Sequence, residues 1–210
     1  MIKELSYCVI FLAASLVGPA AAQSNQDMDP IRSRNLPEVR YSDYTHVFSQ
    51  SETPRKATEP VALAAIATWI SQHFGLPNTG DLPRLEFVAA EHLVALRYRG
   101  LLPQLPQSPA LQQKMLSAER DLLAVYTEET RAIYLSEAWR GESPAEVSIL
   151  VHEMVHHLQN QAQLKFACLQ EREEMAYTAQ DRWLGQSGLS LVTEFGIDPF
   201  TRLVRTRCMN

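Results

Sequence analysis

The chain has 210 residues, of which 46% are hydrophobic and 20% are charged, and its formal net charge is -5. This is the composition of an ordinary globular domain, neither low in complexity nor strongly charged. Because 19 basic residues stand against 24 acidic ones, the chain has no basic excess that would neutralise phosphates. The balance therefore argues against nucleic acid and against an anionic membrane surface as partners.

The first 22 residues have the layout of a secretory signal peptide. Lys3 precedes an apolar run over residues 5–17, and Ala20 and Ala22 supply the small side chains that a signal peptidase requires. We expect cleavage before Gln23, because the apolar run is shorter than the roughly 20 residues that span a membrane. The mature protein is therefore predicted to be periplasmic or secreted, with no stable membrane span.

Export changes the expected chemistry of the cysteines. Cys168 and Cys208 remain after cleavage, and an even pair in an oxidising compartment predicts a disulfide. The bridge would close a loop of about 40 residues, and the loss of chain entropy in the unfolded state would then stabilise the fold by about 4 kcal/mol. We expect it to tie the C-terminal tail to the body of the domain.

Beyond the signal peptide, the sequence divides into a polar arm and one domain. Residues 23–56 have few clustered apolar positions, which is typical of a linker or a loosely docked arm. The domain is assigned to residues 57–210. Its first helix is predicted to begin near Thr58, a plausible N-cap, and to end at Gly75. Shorter elements are predicted at residues 84–88 (strand), 91–98 (helix), 103–109 (proline-rich connection) and 109–119 (helix).

The next stretch predicts a β-hairpin followed by a well-capped helix. Residues 122–126 and 132–135 are β-prone runs separated by polar residues. Residues 143–146, Ser-Pro-Ala-Glu, supply an N-cap, a proline at the first helical position and the glutamate of a capping box. Apolar residues at helical spacing extend this helix to about Ala162. The expected fold class is α+β, mostly helical, with a short hairpin or sheet before this helix.

The helix carries the sequence His152-Glu153-Met154-Val155-His156. Histidines four residues apart lie on one helical face, about 6 Å apart along the axis, so both imidazoles can reach one metal ion. The pattern is typical of zinc hydrolases, in which the glutamate beside the first ligand takes a proton from the attacking water. The sequence thus predicts His152 and His156 as zinc ligands and Glu153 as the general base.

A third protein ligand is needed, and the sequence offers three glutamates. The metzincin pattern is excluded because Gln159 and Ala162 stand where it requires glycine and histidine. The gluzincin alternative uses a glutamate on a following helix, predicted here over Leu169–Gly185. The candidates on that helix are Glu171, Glu173 and Glu174.

The buried face of that helix ranks the three glutamates. Glu173 shares a stripe with Ala176, Gln180 and Trp183 at spacings of three and four residues. Glu174 instead shares its side with polar residues. We therefore rank Glu173 first, Glu174 second and Glu171 third.

These residues resemble those of a family of small exported bacterial proteins of unknown function with gluzincin-like zincin character. The resemblance rests on residues 150–159, on Cys168 and on the pattern from Glu173 to Leu184, and it covers about residues 122–184. It implies a minimal zincin-like fold and a bound zinc ion. The aspartate that orients a histidine in thermolysin is replaced by Tyr177. The resemblance therefore implies different neighbours for the ligands, with Gln180 and Tyr177 as candidates. His157 lies about 100° around the helix from His156, so we expect it to be a neighbour of the ligands or a surface group and not a ligand itself.

The resemblance also implies that a strand before the metal helix borders the cleft and pairs with a substrate backbone. Residues 131–135 are the natural candidate, and such pairing would favour a peptide. A buried hairpin that serves only the core is the equal alternative. His157, Tyr134 and Tyr177 are all open as donors to the oxyanion.

The predicted function is that of an exported zinc-dependent metallohydrolase, most simply a metallopeptidase. Two other interpretations stay open: a catalytically silent zinc-binding protein of the cell envelope, and an exported interaction protein whose histidine pattern is fortuitous. The spacing does not separate a peptide from another amide or an ester, and it does not define the oligomeric state.

Overall fold

The computed structural model describes residues 55–97 and 123–208, with side chains from residue 60 onward. The predicted signal peptide, nearly all of the polar arm, and the connection and helix predicted over residues 103–119 lie outside the described residues. Within these ranges the chain forms α1 (Arg55–Phe74), β1 (Arg84–Val88), α2 (Ala90–Arg97), β2 (Ala124–Thr127), β3 (Ala132–Ser136), α3 (Pro144–Gln161), α4 (Leu169–Gly185), α5 (Leu191–Phe195) and α6 (Pro199–Thr206).

The α+β class is confirmed, and most predicted elements are present with ends shifted by one or two residues. The largest shift is in α1, which begins at Arg55 and runs through Pro60, so Thr58 lies inside the helix and is not its N-cap. The helix ends where predicted. Gly75 follows it with φ of 69°, a conformation that favours glycine, and its amide donates to Ser71 O.

The three strands form one small mixed sheet in the order β1-β3-β2. The predicted hairpin is confirmed, because β2 pairs antiparallel with β3, and β1 joins the other edge of β3 in parallel. Both edges of β3 are therefore occupied. The prediction that residues 131–135 border the cleft and pair with a substrate is wrong, since a central strand has no free main-chain groups. Among the described residues, the two outer edges of the sheet belong to β1 and β2.

The two faces of the sheet are covered by different helices. On one face, Leu93 of α2 packs with Ala132 and Tyr134. On the other, Ile133 and Leu135 join the main core with apolar residues of α1, α3 and α4. Side chains alternate between faces along a strand, so Tyr134 lies across the sheet from α3. Of the three residues left open as oxyanion donors, Tyr134 therefore faces away from the His152–His156 helix.

The main core is built on α1, α3 and α4. Trp69 of α1 and Trp183 of α4 are almost fully buried, and their rings meet edge to face at 5.1 Å. Leu150 and Met154 of α3 are fully buried in the same cluster. Burying such side chains stabilises the fold by about 1.5–3 kcal/mol each. This packing fixes α4 along α3, the arrangement on which the candidate site depends.

The start of α3 is fixed by the predicted capping box. Ser143 Oγ accepts from the Glu146 amide at 3.1 Å, and Glu146 Oε2 accepts from the Ser143 amide at 3.2 Å. Trp139 Nε1 donates to Glu146 O at 2.9 Å. The cap therefore also links the helix to the segment that follows β3.

The C-terminal helices return to α4 and are linked to it covalently. Cys168, the N-cap residue of α4, is bonded to Cys208, with a Cα–Cα distance of 5.7 Å. The predicted disulfide is thus confirmed, and it holds the end of α6 beside the start of α4. No helix within residues 55–97 and 123–208 is long and apolar enough to cross a membrane.

Replacing both Cys168 and Cys208 by serine should lower the free energy of unfolding by up to about 4 kcal/mol, because the bridge restricts a 40-residue separation in the unfolded chain. Urea unfolding of the oxidised wild type and the double variant measures the difference. An unchanged midpoint and slope would show that the bridge contributes nothing to the stability.

Candidate metal centre

Three side chains from two helices converge on one point. His152 and His156 lie one turn apart on α3, and their Nε2 atoms are 3.3 Å from each other. Glu173 of α4 places Oε2 3.1 Å from His152 Nε2 and 3.3 Å from His156 Nε2. These three groups form a cluster that could hold a metal ion. The structure thus brings together the histidine pair and the glutamate ranked first.

The other two candidate glutamates have different partners. Glu174 forms an ion pair with Arg202 of α6 at 2.7 Å, and Glu171 accepts from the Ala167 amide at 2.5 Å. Both are exposed, whereas Glu173 is partly buried. The helical stripe explains the difference, because Ala176 and Gln180, which share the Glu173 side of α4, are buried against α3.

The tautomer of His156 follows from its hydrogen-bonding chain. Gln159 Nε2 donates to the main-chain oxygen of Arg172 at 2.9 Å. Because that oxygen can only accept, the amide of Gln159 must turn its own oxygen to His156 Nδ1, which lies 3.1 Å away. His156 Nδ1 therefore carries the proton, and Nε2 presents a lone pair to the shared point.

The same argument holds for His152. Ser148 Oγ donates its single proton to Ala145 O at 2.7 Å, so it can only accept from Gln180 Nε2, at 3.3 Å. Gln180 Oε1 then faces His152 Nδ1 at 3.1 Å. His152 therefore also carries its proton on Nδ1, as His156 does, and directs its Nε2 lone pair at the same point.

The arrangement favours a positive charge between the three groups. Two imidazole lone pairs and a carboxylate oxygen are all acceptors, and at these distances they repel one another unless a proton or metal ion lies among them. Burial alone would raise the pKa of the Glu173 carboxyl, but the two imidazoles outweigh it and hold that pKa well below its usual value. Burial lowers the pKa of His152, yet Glu173 and, less strongly, Glu153 raise it overall.

Glu153, the predicted base, is anchored to the sheet. Its Oε2 accepts from the amide of Tyr126 on β2 at 2.8 Å. The amide is available because Tyr126 pairs with Ile133 at a position where its main-chain groups point away from β3. The second oxygen, Oε1, has no hydrogen bond within the described part of the chain. Glu153 therefore has one oxygen held by the sheet and one without a hydrogen bond among the described residues.

His157 contacts the sheet side of α3 and not the ligands. Its Nε2 lies 2.8 Å from both Asp81 O and Gln161 Nε2, and its Nδ1 lies 3.3 Å from the Tyr126 hydroxyl. The ring is fully buried, which lowers the pKa of His157. His157 was expected to be a neighbour of the ligands or a surface group, but it is buried against Asp81, Gln161 and Tyr126. Its contacts instead position Tyr126, whose amide holds Glu153.

Tyr177 is adjacent to the ligands, as predicted. Its ring meets the His152 ring edge to face at 4.9 Å, and its hydroxyl accepts from Arg205 of α6 at 3.2 Å. Gln180, also predicted, bonds to His152 directly. The sequence patterns predicted no role for Gln159, Tyr126 or Arg205. Of these three residues, only Gln159 carries a local signal, because it stands three residues after His156 on the same helical face.

The chain matches the family described as "Domain of unknown function (DUF6647)" over residues 55–197. The match includes all three residues of the candidate metal centre and Glu153. No curated protein and no solved structure gives a significant match.

Replacing Gln159 or Gln180 by leucine should weaken zinc binding by about 10- to 100-fold, because each imidazole would lose the acceptor that fixes its tautomer. Competition with a chromogenic chelator measures the dissociation constant. The matched control is Gln161→Leu, since Gln161 lies on α3 but contacts Thr79, Asp81 and His157 and neither of the two candidate ligand imidazoles. Equal zinc affinity in all three variants would contradict the assignment.

Proposed function

The chain belongs to the DUF6647 family, and we propose, from the geometry of its candidate metal centre, that it is a zinc-dependent metallohydrolase acting on peptide bonds. The donor set is two imidazole nitrogens and one carboxylate oxygen, and three protein ligands with an open fourth position are characteristic of catalytic zinc sites. Within this proposal, a small sheet packed on the metal helix supports the minimal zincin-like fold that the resemblance implies.

The spacing of the three ligand atoms is the observation that carries the proposal. A tetrahedral zinc ion with bonds of about 2.0–2.1 Å separates any two of its ligand atoms by about 3.3 Å. The three measured separations are 3.1, 3.3 and 3.3 Å. If protons alone held the cluster together, the two imidazoles would not both need to direct Nε2 at the shared point. Gln159 and Gln180 hold both rings in that orientation.

The roles of the protein groups follow from their positions. A zinc ion in this site would supply Lewis acidity, which lowers the pKa of a coordinated water to about 7 and polarises a carbonyl. Glu153 would accept the proton of the attacking water on its free Oε1 and pass it to the leaving nitrogen, while the Tyr126 amide keeps Oε2 in place. Gln159 and Gln180 would keep both imidazoles in the ligating tautomer.

The outer edge of β2, which pairs with no strand among the described residues, supports a peptide as the substrate. Ala124 and Tyr126 direct their main-chain groups away from β3. Because the Tyr126 amide is bonded to Glu153, the Ala124 amide and the two main-chain oxygens are the groups that would pair with a substrate. An extended peptide could pair with such an edge through main-chain hydrogen bonds, which tolerate many sequences. This replaces β3 as the strand proposed to align the substrate.

We further propose that the protein acts outside the cytoplasm, in the periplasm or after secretion. The signal-peptide layout of residues 1–22 supports this. The disulfide between Cys168 and Cys208 supports it as well, because such bridges persist in oxidising compartments.

Glu153→Gln should reduce hydrolysis of a peptide library by at least about 100-fold while leaving one zinc ion bound. The glutamine side chain cannot accept the proton of the attacking water. Mass-spectrometric detection of cleavage, together with elemental analysis, measures both properties. Full activity in the variant would overturn the role of Glu153. Stoichiometric zinc with no cleavage by the wild type would instead favour the catalytically silent zinc-binding protein.

Glu173→Gln and Glu174→Gln form a matched pair on adjacent positions of α4. Only the first should weaken zinc binding, because Glu173 lies between the two imidazoles whereas Glu174 pairs with Arg202. Zinc titration of the two metal-free variants compares the affinities. His156→Ala should lose stoichiometric zinc as well. Equal affinities of the two glutamine variants would remove Glu173 from the ligand set.

A further inference from the structure

A cleft lies beside the C-terminal end of α3 and the start of α4. It has a volume of about 500 Å³, and its polar lining includes Glu128, Gln159, Asn160, Gln163, Lys165 and Arg172. We call it the Arg172 cleft. It adjoins the site through Gln159, which both lines the cleft and accepts from His156. Arg172 also directly precedes Glu173 in the chain.

The position of the cleft on α3 sets its distance from the histidines. The cleft lies on the helical face of α3 that follows His156, because residues three or four positions apart share one face. Residues 159, 160 and 163 lie on that face. With a rise of 1.5 Å per residue, the cleft extends about 5–10 Å beyond His156. An extended peptide advances about 3.3 Å per residue. The cleft is therefore two or three residues away from a bond held at the metal centre.

Arg172 has the features of a cation without an internal partner. It is partly buried, and its Nε is fully buried with no hydrogen bond. No salt bridge or side-chain hydrogen bond of Arg172 is present among the described residues. A buried guanidinium nitrogen left unpaired costs about 1–3 kcal/mol, and more for a charged group, so a ligand that satisfies it gains correspondingly.

The charge of the cleft indicates the chemistry of that ligand. Lys165 and Arg172 provide two cations against the single carboxylate of Glu128, so the cleft is positive in a chain whose net charge is -5. A guanidinium offers parallel N–H groups that match the two oxygens of a carboxylate. Leu164, Phe166 and Leu169 complete the wall with apolar surface.

We propose that the Arg172 cleft is a subsite for a carboxylate of the substrate, two or three residues from the scissile bond. The carboxylate is either the C-terminal group of a peptide or the side chain of an aspartate or glutamate. This inference rests on the proposed peptidase function for its orientation toward the metal centre. Binding of the carboxylate itself does not require turnover.

The test measures binding of fluorescent peptides to the full mature chain with and without zinc. Four peptides of one sequence carry either glutamate or glutamine at a central position, each with a free or an amidated C-terminus. At least one carboxylate should improve affinity about tenfold over the uncharged peptide. The peptides that differ only in glutamate or glutamine test a side-chain carboxylate, and those that differ only at the C-terminus test the terminal carboxylate. Equal affinity for all four peptides overturns the proposal.

Variants locate the effect. Arg172→Gln should abolish the carboxylate preference, and Arg172→Lys should retain part of it, because one ammonium replaces a two-pronged donor. Arg182→Gln, an exposed arginine on the same helix, is the matched control and should keep the full preference. If Arg172→Gln does not fold, Lys165→Gln on the exposed loop tests the same cleft and should weaken acidic peptides selectively. An unchanged preference in these cleft variants overturns the proposal.

The outcomes separate the subsite from the proposed function. A protein that cleaves peptides without any preference for carboxylates overturns the subsite and leaves the hydrolase intact. A protein that binds acidic peptides through Arg172 but cleaves none supports the subsite and overturns the hydrolase.

Discussion

The packing of α4 against α3 is the contact on which the candidate site depends. It places three hydrogen-bond acceptors, two imidazole nitrogens and one carboxylate oxygen, opposite one another. His152, His156 and Glu173 converge within 3.3 Å, an arrangement that is unfavourable without a cation between them. The surrounding core offsets that cost, since Met154, Ala176 and neighbouring apolar side chains are completely buried in the same interface. Hydrophobic packing thus holds in place a polar cluster that would otherwise separate.

The two glutamines connect the ends of this helix pair as well as orienting the imidazoles. Gln159, late in α3, bonds to the first turn of α4 through Arg172 O, and Gln180, late in α4, bonds to Ser148 in the first turns of α3. One link therefore lies at each end of the antiparallel helix pair. Each glutamine contacts both the neighbouring helix and one histidine, so sliding of α4 along α3 would disturb both imidazoles. The site is therefore specified by the same contacts that set the helix register.

Local signals in the sequence were sufficient to predict α3 and the three side chains of the candidate metal centre. The capping box, the histidine spacing and the buried stripe through Glu173 all depend on residues within a few turns, and the structure brings the three ligand groups together. Contacts between distant segments were not predictable in this way. The parallel pairing of β1 with β3 makes β3 central, and the alternation along β3 turns Tyr134 to the face covered by α2. His157 was misplaced because its partner Asp81 lies 76 residues away.

The sheet is part of the site because its register aims the Tyr126 amide. At the observed pairing with Ile133, this amide points away from β3 and reaches Glu153, and the side chain of Tyr126 packs on the α3 face beside His157. A slip of one residue would reverse both directions at once. The amide would turn toward β3, the ring would turn toward α2, and Glu153 would lose its anchor. His157 and Asn160, which both bond to the Tyr126 hydroxyl, oppose such a slip. Two residues that contact neither His152 nor His156 thereby help to determine where Glu153 is held.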